Sequence, residues 1–180
     1  MKSYVLQQVV DQREAVRSIK QHQNNLIAKW QRLFRSGRQL TSIELVHLPY
    51  WCFTYQYQSK QMKDPIKGKV AVETYQHHTA ILPESATYRP AEEATSLLPP
   101  NGEPVPEVAR KEIYWEAFSR EKKRKDIAVD IIDTAILYVP YWIGYLQGDK
   151  IDILAVDAAN GKIDLGIKDA LLEAIMASSK

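Results

Sequence analysis

The residues best equipped for chemistry are few and dispersed. His77 and His78 are neighbours, and a strand directs adjacent side chains to opposite faces, so the two rings do not share a metal. Only His22 and His47 remain as further imidazoles. Cys52 is the single cysteine, which excludes an internal disulfide and leaves a Cys-based zinc site unsupported. A nucleophilic thiol needs a nearby base and a lowered pKa, and strand alternation sets Cys52 on the face opposite His47. The run "REKKRKD" (120–126) gathers Arg120, Lys122, Lys123, Arg124 and Lys125. Such a patch can meet phosphates, but cations also favour the negative end of a helix dipole. Asp130, Asp133, Asp149, Asp152, Asp157 and Asp164 lack the spacing of a calcium loop. With 7 glycines there is no P-loop or dinucleotide fingerprint. The expectation is no catalytic residue, no metal and no cofactor.

Tyrosine is the chemically versatile type whose spacing is informative. Six of the ten tyrosines, Tyr50, Tyr55, Tyr57, Tyr138, Tyr141 and Tyr145, fall within two runs that both carry Pro-Tyr-Trp. The runs are Ser42–Gln58, which holds "LPYWCFTYQ" (48–56), and Thr134–Gln147, which holds "VPYWIGYLQ" (139–147). Were one sheet face left uncovered, His47, Tyr50, Cys52, Tyr55, Tyr57, Tyr141 and Tyr145 would line a groove for a peptide or apolar ligand. Ordinary packing of the same rings is the competing use. Trp51 and Trp142 are assigned to the core, each contributing on the order of 2–3 kcal/mol.

The elements that position these residues can be read from periodicity. Asp11 and Glu14 form an acidic capping box before an apolar stripe of Val16, Ile19, Leu26, Ile27, Trp30, Leu33 and Phe34, which predicts a helix from Gln12 to Arg35 stopped at Gly37. "SYVLQQVV" is either a short strand or a helix start. Ser42–Gln58 alternates as a strand, with Leu45, His47, Trp51, Phe53, Tyr55 and Tyr57 on one face and Val46, Leu48, Tyr50 and Cys52 on the other. Pro49 cannot donate to a ladder, so a bulge or bend is expected there. "KVAVETY" and "TAILPES" follow as strands. A second helix begins at Pro106 and runs to about Lys125, a second long strand covers Thr134–Gln147, and Asn160-Gly161 marks a hairpin turn. The chain closes with a helix through Ile167, Ala170, Leu171, Ala174 and Ile175.

The second long strand repeats the first at an offset of 91 residues, pairing Pro49 with Pro140 and Trp51 with Trp142. The fold class expected is therefore α+β: two tandem helix-plus-curved-antiparallel-sheet units, cystatin-like, with a C-terminal helix. Residues 1–88 form the first unit and 107–180 the second, with the proline-rich segment 89–106 as an extended linker. Each helix is expected to lie on the strands that follow it. A hydrophobic fraction of 45% and a charged fraction of 26% place the chain among ordinary globular proteins, and a net charge of +2 gives no bulk attraction to nucleic acid. The N-terminus lacks the apolar core of a signal peptide and no window suits a membrane span, so a cytoplasmic location is expected.

The segment "YVPYWIGYLQGDKIDILAVDAANGKI" (138–163) resembles a PepSY-like domain, a helix-plus-curved-sheet module of cystatin-like character. Carrying the likeness are the Pro-x-Trp strand, Val156-Asp157 and Asn160-Gly161-Lys162-Ile163. The first unit matches at "LPYW", while "ETYQHHTAIL" lacks the Asp…Gly ending. The resemblance implies a non-catalytic binding or regulatory module. The leading expectation is accordingly a non-enzymatic protein that binds a protein or peptide, with homo-oligomerisation left open. Two alternatives stand beside it: a small-molecule binder or enzyme with a pocket between helix and sheet, and nucleic-acid association through 120–125, the less favoured.

Overall fold

The computed structural model describes residues 1–30, 38–122 and 125–179. In chain order they form β1 (Ser3–Leu6), α1 (Gln12–Trp30), β2 (Gln39–Gln58), β3 (Ile66–Glu73), β4 (Thr79–Leu82), β5 (Tyr88–Pro90), α2 (Pro106–Arg120), β6 (Ala128–Gln147), β7 (Asp152–Asp157) and α3 (Lys168–Ser178). The class is α+β, as the sequence predicts. Asp11 and Glu14 close the capping box reciprocally, at 3.0 and 2.9 Å. The predicted stretch 31–35 of the first helix and its stop at Gly37 lie outside the described residues.

All strands belong to one mixed sheet, in the order β4-β3-β2-β6-β1-β5, with β7 also paired to β6. At its centre β2 and β6, each 20 residues long, run antiparallel along their whole length. The two halves of the chain thus meet strand against strand. Leu48 faces Val139, its own counterpart 91 residues on, so a pseudo-two-fold axis passes between them. Equivalent features recur around it. The ladder skips Thr41 on β2 and Ile132 on β6, bulges that are again 91 residues apart. Trp51 faces Val72 of β3 and Trp142 faces Val156 of β7. Bulges kept at matching positions are designed features of a strand.

The expected bulge at Pro49 is absent: the register runs unbroken through His47, Leu48 and Pro49. The His47 N–H donates to Ser96 O and its carbonyl accepts from Leu98 N, both at 3.0 Å and both away from β6. Two residues further, Pro49 has the same polarity, and its carbonyl accepts from Thr74 N at 3.3 Å. Its ring nitrogen falls where β3 has ended and the 96–98 segment has not yet joined. Pro140 repeats this between β7 and β1, accepting from Ala158 N at 2.9 Å. Each proline occupies the rung at which no donor is required.

Each helix lies mainly on the other half's strands, which corrects the expectation that each grips only its own strands. Each still touches its own long strand, α1 near Leu40 and Ile43 and α2 near Val129 and Ile131. Ala15 and Ile19 of α1 pack with Leu146 and Val156, from β6 and β7. Ala109, Ile113 and Ala117 of α2 pack with Trp51, Phe53, Tyr55, Val70 and Val72, from β2 and β3. Gly144 makes the first approach feasible: a Cβ there would stand 2.6 Å from Ile19 Cδ1. The opposite sheet face is closed by α3, whose Ala170, Leu171 and Ala174 join Val46, Leu48, Tyr50, Val139, Tyr141 and Ile143. Segment 89–106, expected as an extended linker, is tied into the fold. Arg89 pairs with Val5, Ala91 and Leu98 are buried, and the Tyr75 hydroxyl donates to Pro99 O at 2.6 Å.

Candidate interaction surface

The seven residues expected to line a groove do not share one. Tyr50, Cys52, Tyr141 and Tyr145 belong with the cluster on the α3 face. Tyr55 and Tyr57 are on the α2 face, as is His47 by strand alternation. All but Tyr145 are buried. The Tyr50 and Tyr141 hydroxyls meet at 2.9 Å across the pseudo-axis, and burial pushes both phenols up from their ordinary value. They act as a neutral hydrogen-bonded pair joining the halves. Burial lifts the Cys52 thiol to about 11, so it stays protonated at neutral pH, and β2 directs it away from His47. Burial lowers His47, against backbone hydrogen bonding at Thr95 and Ser96 that raises it; among the described residues the buried Trp51 Nε1 and Tyr57 hydroxyl have no hydrogen-bond partner. Trp142 is better served, its Nε1 donating to Val10 O at 2.9 Å. At the rim, Tyr145 donates to the Glu44 carboxylate; burial and this bond raise the phenol to about 12.

The basic run does not present five free cations. Arg120 pairs with Glu116 at 2.6 Å, and Lys122 and Lys125 are exposed beyond the helix end. Lys123 and Arg124 lie outside the described residues.

Sequence reasoning found the turn at Asn160-Gly161 but missed its counterpart after Glu73 and the acid that heads each. Glu73 is fully buried, and its two oxygens accept from Tyr75 N and Gln76 N, both at 2.6 Å. Asp157 accepts from Ala159 N and from Asn160 Nδ2, both at 2.8 Å. Four residues after each acid the chain turns left-handed, at His77 (φ 59°) and Gly161 (φ 78°). Glu73 N donates to His78 O and Asp157 N to Lys162 O, closing the same turn twice. The signal was present as Val-Ala-Val-Glu (70–73) against Leu-Ala-Val-Asp (154–157), 84 residues apart. This offset differs from the 91 residues that separate the two Pro-Tyr-Trp strands. "ETYQHHTAIL" does therefore have the counterpart of the Asp…Gly ending: Glu73 and His77 occupy those places.

A surface feature stands out because the pseudo-symmetry supplies its own control. Ala15 and Ile19 of α1 correspond to Ala109 and Ile113 of α2, the buried contacts of each helix. In that alignment, the α2 residues Tyr114, Trp115 and Phe118 replace Lys20, Gln21 and Asn24 of α1. The three rings pack on one another, with centroids 5.6 to 6.0 Å apart, and Trp115 is edge-on to both neighbours. None joins the core beneath α2, and Trp115 is 54% exposed. Since α1 seats itself on the sheet with polar residues at these positions, the fold does not demand aromatic ones.

Two surface clefts lie elsewhere. One runs along the outer face of α1 past Arg13, Arg17 and Lys20, and the other beside Gln7–Asp11, Tyr88 and Arg89. Neither is lined by any of the seven predicted groove residues. Among the described residues, no three His, Cys, Asp or Glu side chains are placed to hold a metal, and no helix is long and apolar enough to cross a membrane. No family model, curated protein or solved structure was found to match the chain.

Proposed function

We propose that this chain is a non-enzymatic protein- or peptide-binding module whose partner docks on the outer face of α2. The observation that carries the reading is the Tyr114–Trp115–Phe118 cluster, aromatic where its counterpart helix is polar. Trp and Tyr are the side chains that most often anchor interfaces, because they bury large area at little entropic cost. The likeness of 138–163 to PepSY-like domains, with tandem cystatin-like ancestry and a cytoplasmic location, belongs to the same proposal and agrees with a non-catalytic role.

The test compares proteins retained from cells of the source organism by wild type and by Trp115→Ala. The variant's stability is expected to change by no more than about 0.5 kcal/mol, as at other exposed positions. A partner held by wild type and lost by the variant supports the proposal. A partner held equally by both, or none held by either, overturns it. By contrast, Trp51→Ala, at a buried core ring, is expected to unfold the protein.

A further inference from the structure

The pseudo-symmetry also exposes a difference between the two long strand edges. Beyond its contacts with β3 and the 96–98 segment, β2 has a stretch, Gln39–Val46, with no strand outside it among the described residues. On β6 the corresponding stretch, 130–137, runs into the pairing with β1, where Ile136, the counterpart of Leu45, donates its N–H to Lys2 O at 2.9 Å. Because His47 directs its N–H and carbonyl away from β6, Leu45 and Ile43 do the same, two and four residues back along an unbroken register. On β6 the outward amide equivalent to Ile43 is Thr134, and its N–H is taken by the Asp133 carboxylate at 2.9 Å. Position 42 on β2 holds Ser42, which supplies no such bond. Near the strand start both edges are covered alike: Arg110 Nη1 donates to Val129 O and Gln23 Nε2 to Arg38 O. Among the described residues, the outward groups of Ile43 and Leu45 meet no partner.

We propose that this edge of β2 is a second recognition site, which takes an extended peptide segment as an added strand. The chemistry is set by the ladder, since unpaired N–H and C=O groups at strand spacing are complementary to another extended backbone. Charge selects the occupant. Glu44 lies between Ile43 and Leu45 and is exposed, so the residue opposite it in an antiparallel addition is best basic. A second copy in the register that bonds both Ile43 and Leu45 would set Glu44 against Glu44, and like charges directly opposed disfavour that pairing. The site is distinct from the α2 face, and its test does not depend on Trp115.

The experiment measures amide hydrogen exchange of the full chain with two synthetic eight-residue peptides. Both alternate Thr and Val; one carries Lys at its centre and the other Glu. The Lys peptide is expected to slow exchange at Ile43 and Leu45. Ser42→Asp copies the β6 device, so it is expected to keep the fold and weaken Lys-peptide binding at least tenfold. No slowing at either amide, equal binding of the Glu peptide, or unchanged affinity in Ser42→Asp would each overturn the proposal. Slowing that rises with protein concentration in the absence of peptide would overturn it in favour of a second copy.

Discussion

His77 is held at φ 59°, in the left-handed region that side chains with a Cβ enter at a cost of roughly 1–2 kcal/mol. Gly161 occupies the equivalent turn at φ 78° without that cost. After allowing for the greater freedom of glycine in the unfolded chain, His77→Gly is expected to stabilise the protein by about 0.5–1 kcal/mol. A lowered melting temperature would contradict the equivalence of the two turns. The acids that close these turns carry a pH signature. Burial raises Glu73 and Asp157 above their ordinary values of 4.5 and 3.8, despite the N–H groups that both accept. A raised carboxyl binds its proton more tightly in the folded state. Its stabilising contribution is therefore complete below the unfolded value and lost as pH rises through the folded one. Asp152 has the opposite sign: burial raises it, but Lys168, the Ile153 N–H and Arg38 outweigh burial and the net is downward. Its contribution is lost on acidification. In urea titrations across the acid range, wild type is expected to lose stability relative to Glu73→Gln as pH rises above 4.5. A difference that does not vary with pH would refute this.

At the scale of elements, the crossing of the helices is the feature open to energetic proof. Ile19 of α1 and Leu146 of β6 share one cluster although they come from different halves. Each truncation to alanine is expected to cost about 2–4 kcal/mol. In a double-mutant cycle, Ile19→Ala and Leu146→Ala are expected to couple by about 0.5 kcal/mol or more, whereas Ile19→Ala and Val72→Ala, which lie in separate clusters, add. Coupling of Ile19 to Val72 instead would restore the arrangement in which each helix grips its own strands. The elements themselves were legible in the residues. Alternation assigned the two faces of β2 correctly, the capping box located the start of α1, and Asn160-Gly161 gave the second turn. Of the bulge or bend that Pro49 signals, the bulge is absent. Nothing local reveals that neighbouring strands hand over at that rung.

Across the whole molecule, the long β2–β6 ladder makes the two halves parts of one sheet, with Tyr50 and Tyr141 hydrogen-bonded over its axis. The tyrosines were recognised as the informative residues, but their grouping into one groove depended on a face being open, and α2 and α3 cover the two sides. The aromatic cluster on α2 escaped because the spacing of Tyr114, Trp115 and Phe118 is the same whether the rings point inward or outward. Taken alone, the sequence determined most helices and strands, though not β1 or β5, together with the alternating faces and the burial of Trp51, since these follow from periodicities of two and 3.6 residues within a single segment. Tertiary structure decided which half each helix covers, which edge stays open and which polar atoms meet across the axis. Two similar halves offer each helix equivalent apolar surfaces, and only the three-dimensional register of β2 against β6 breaks that tie.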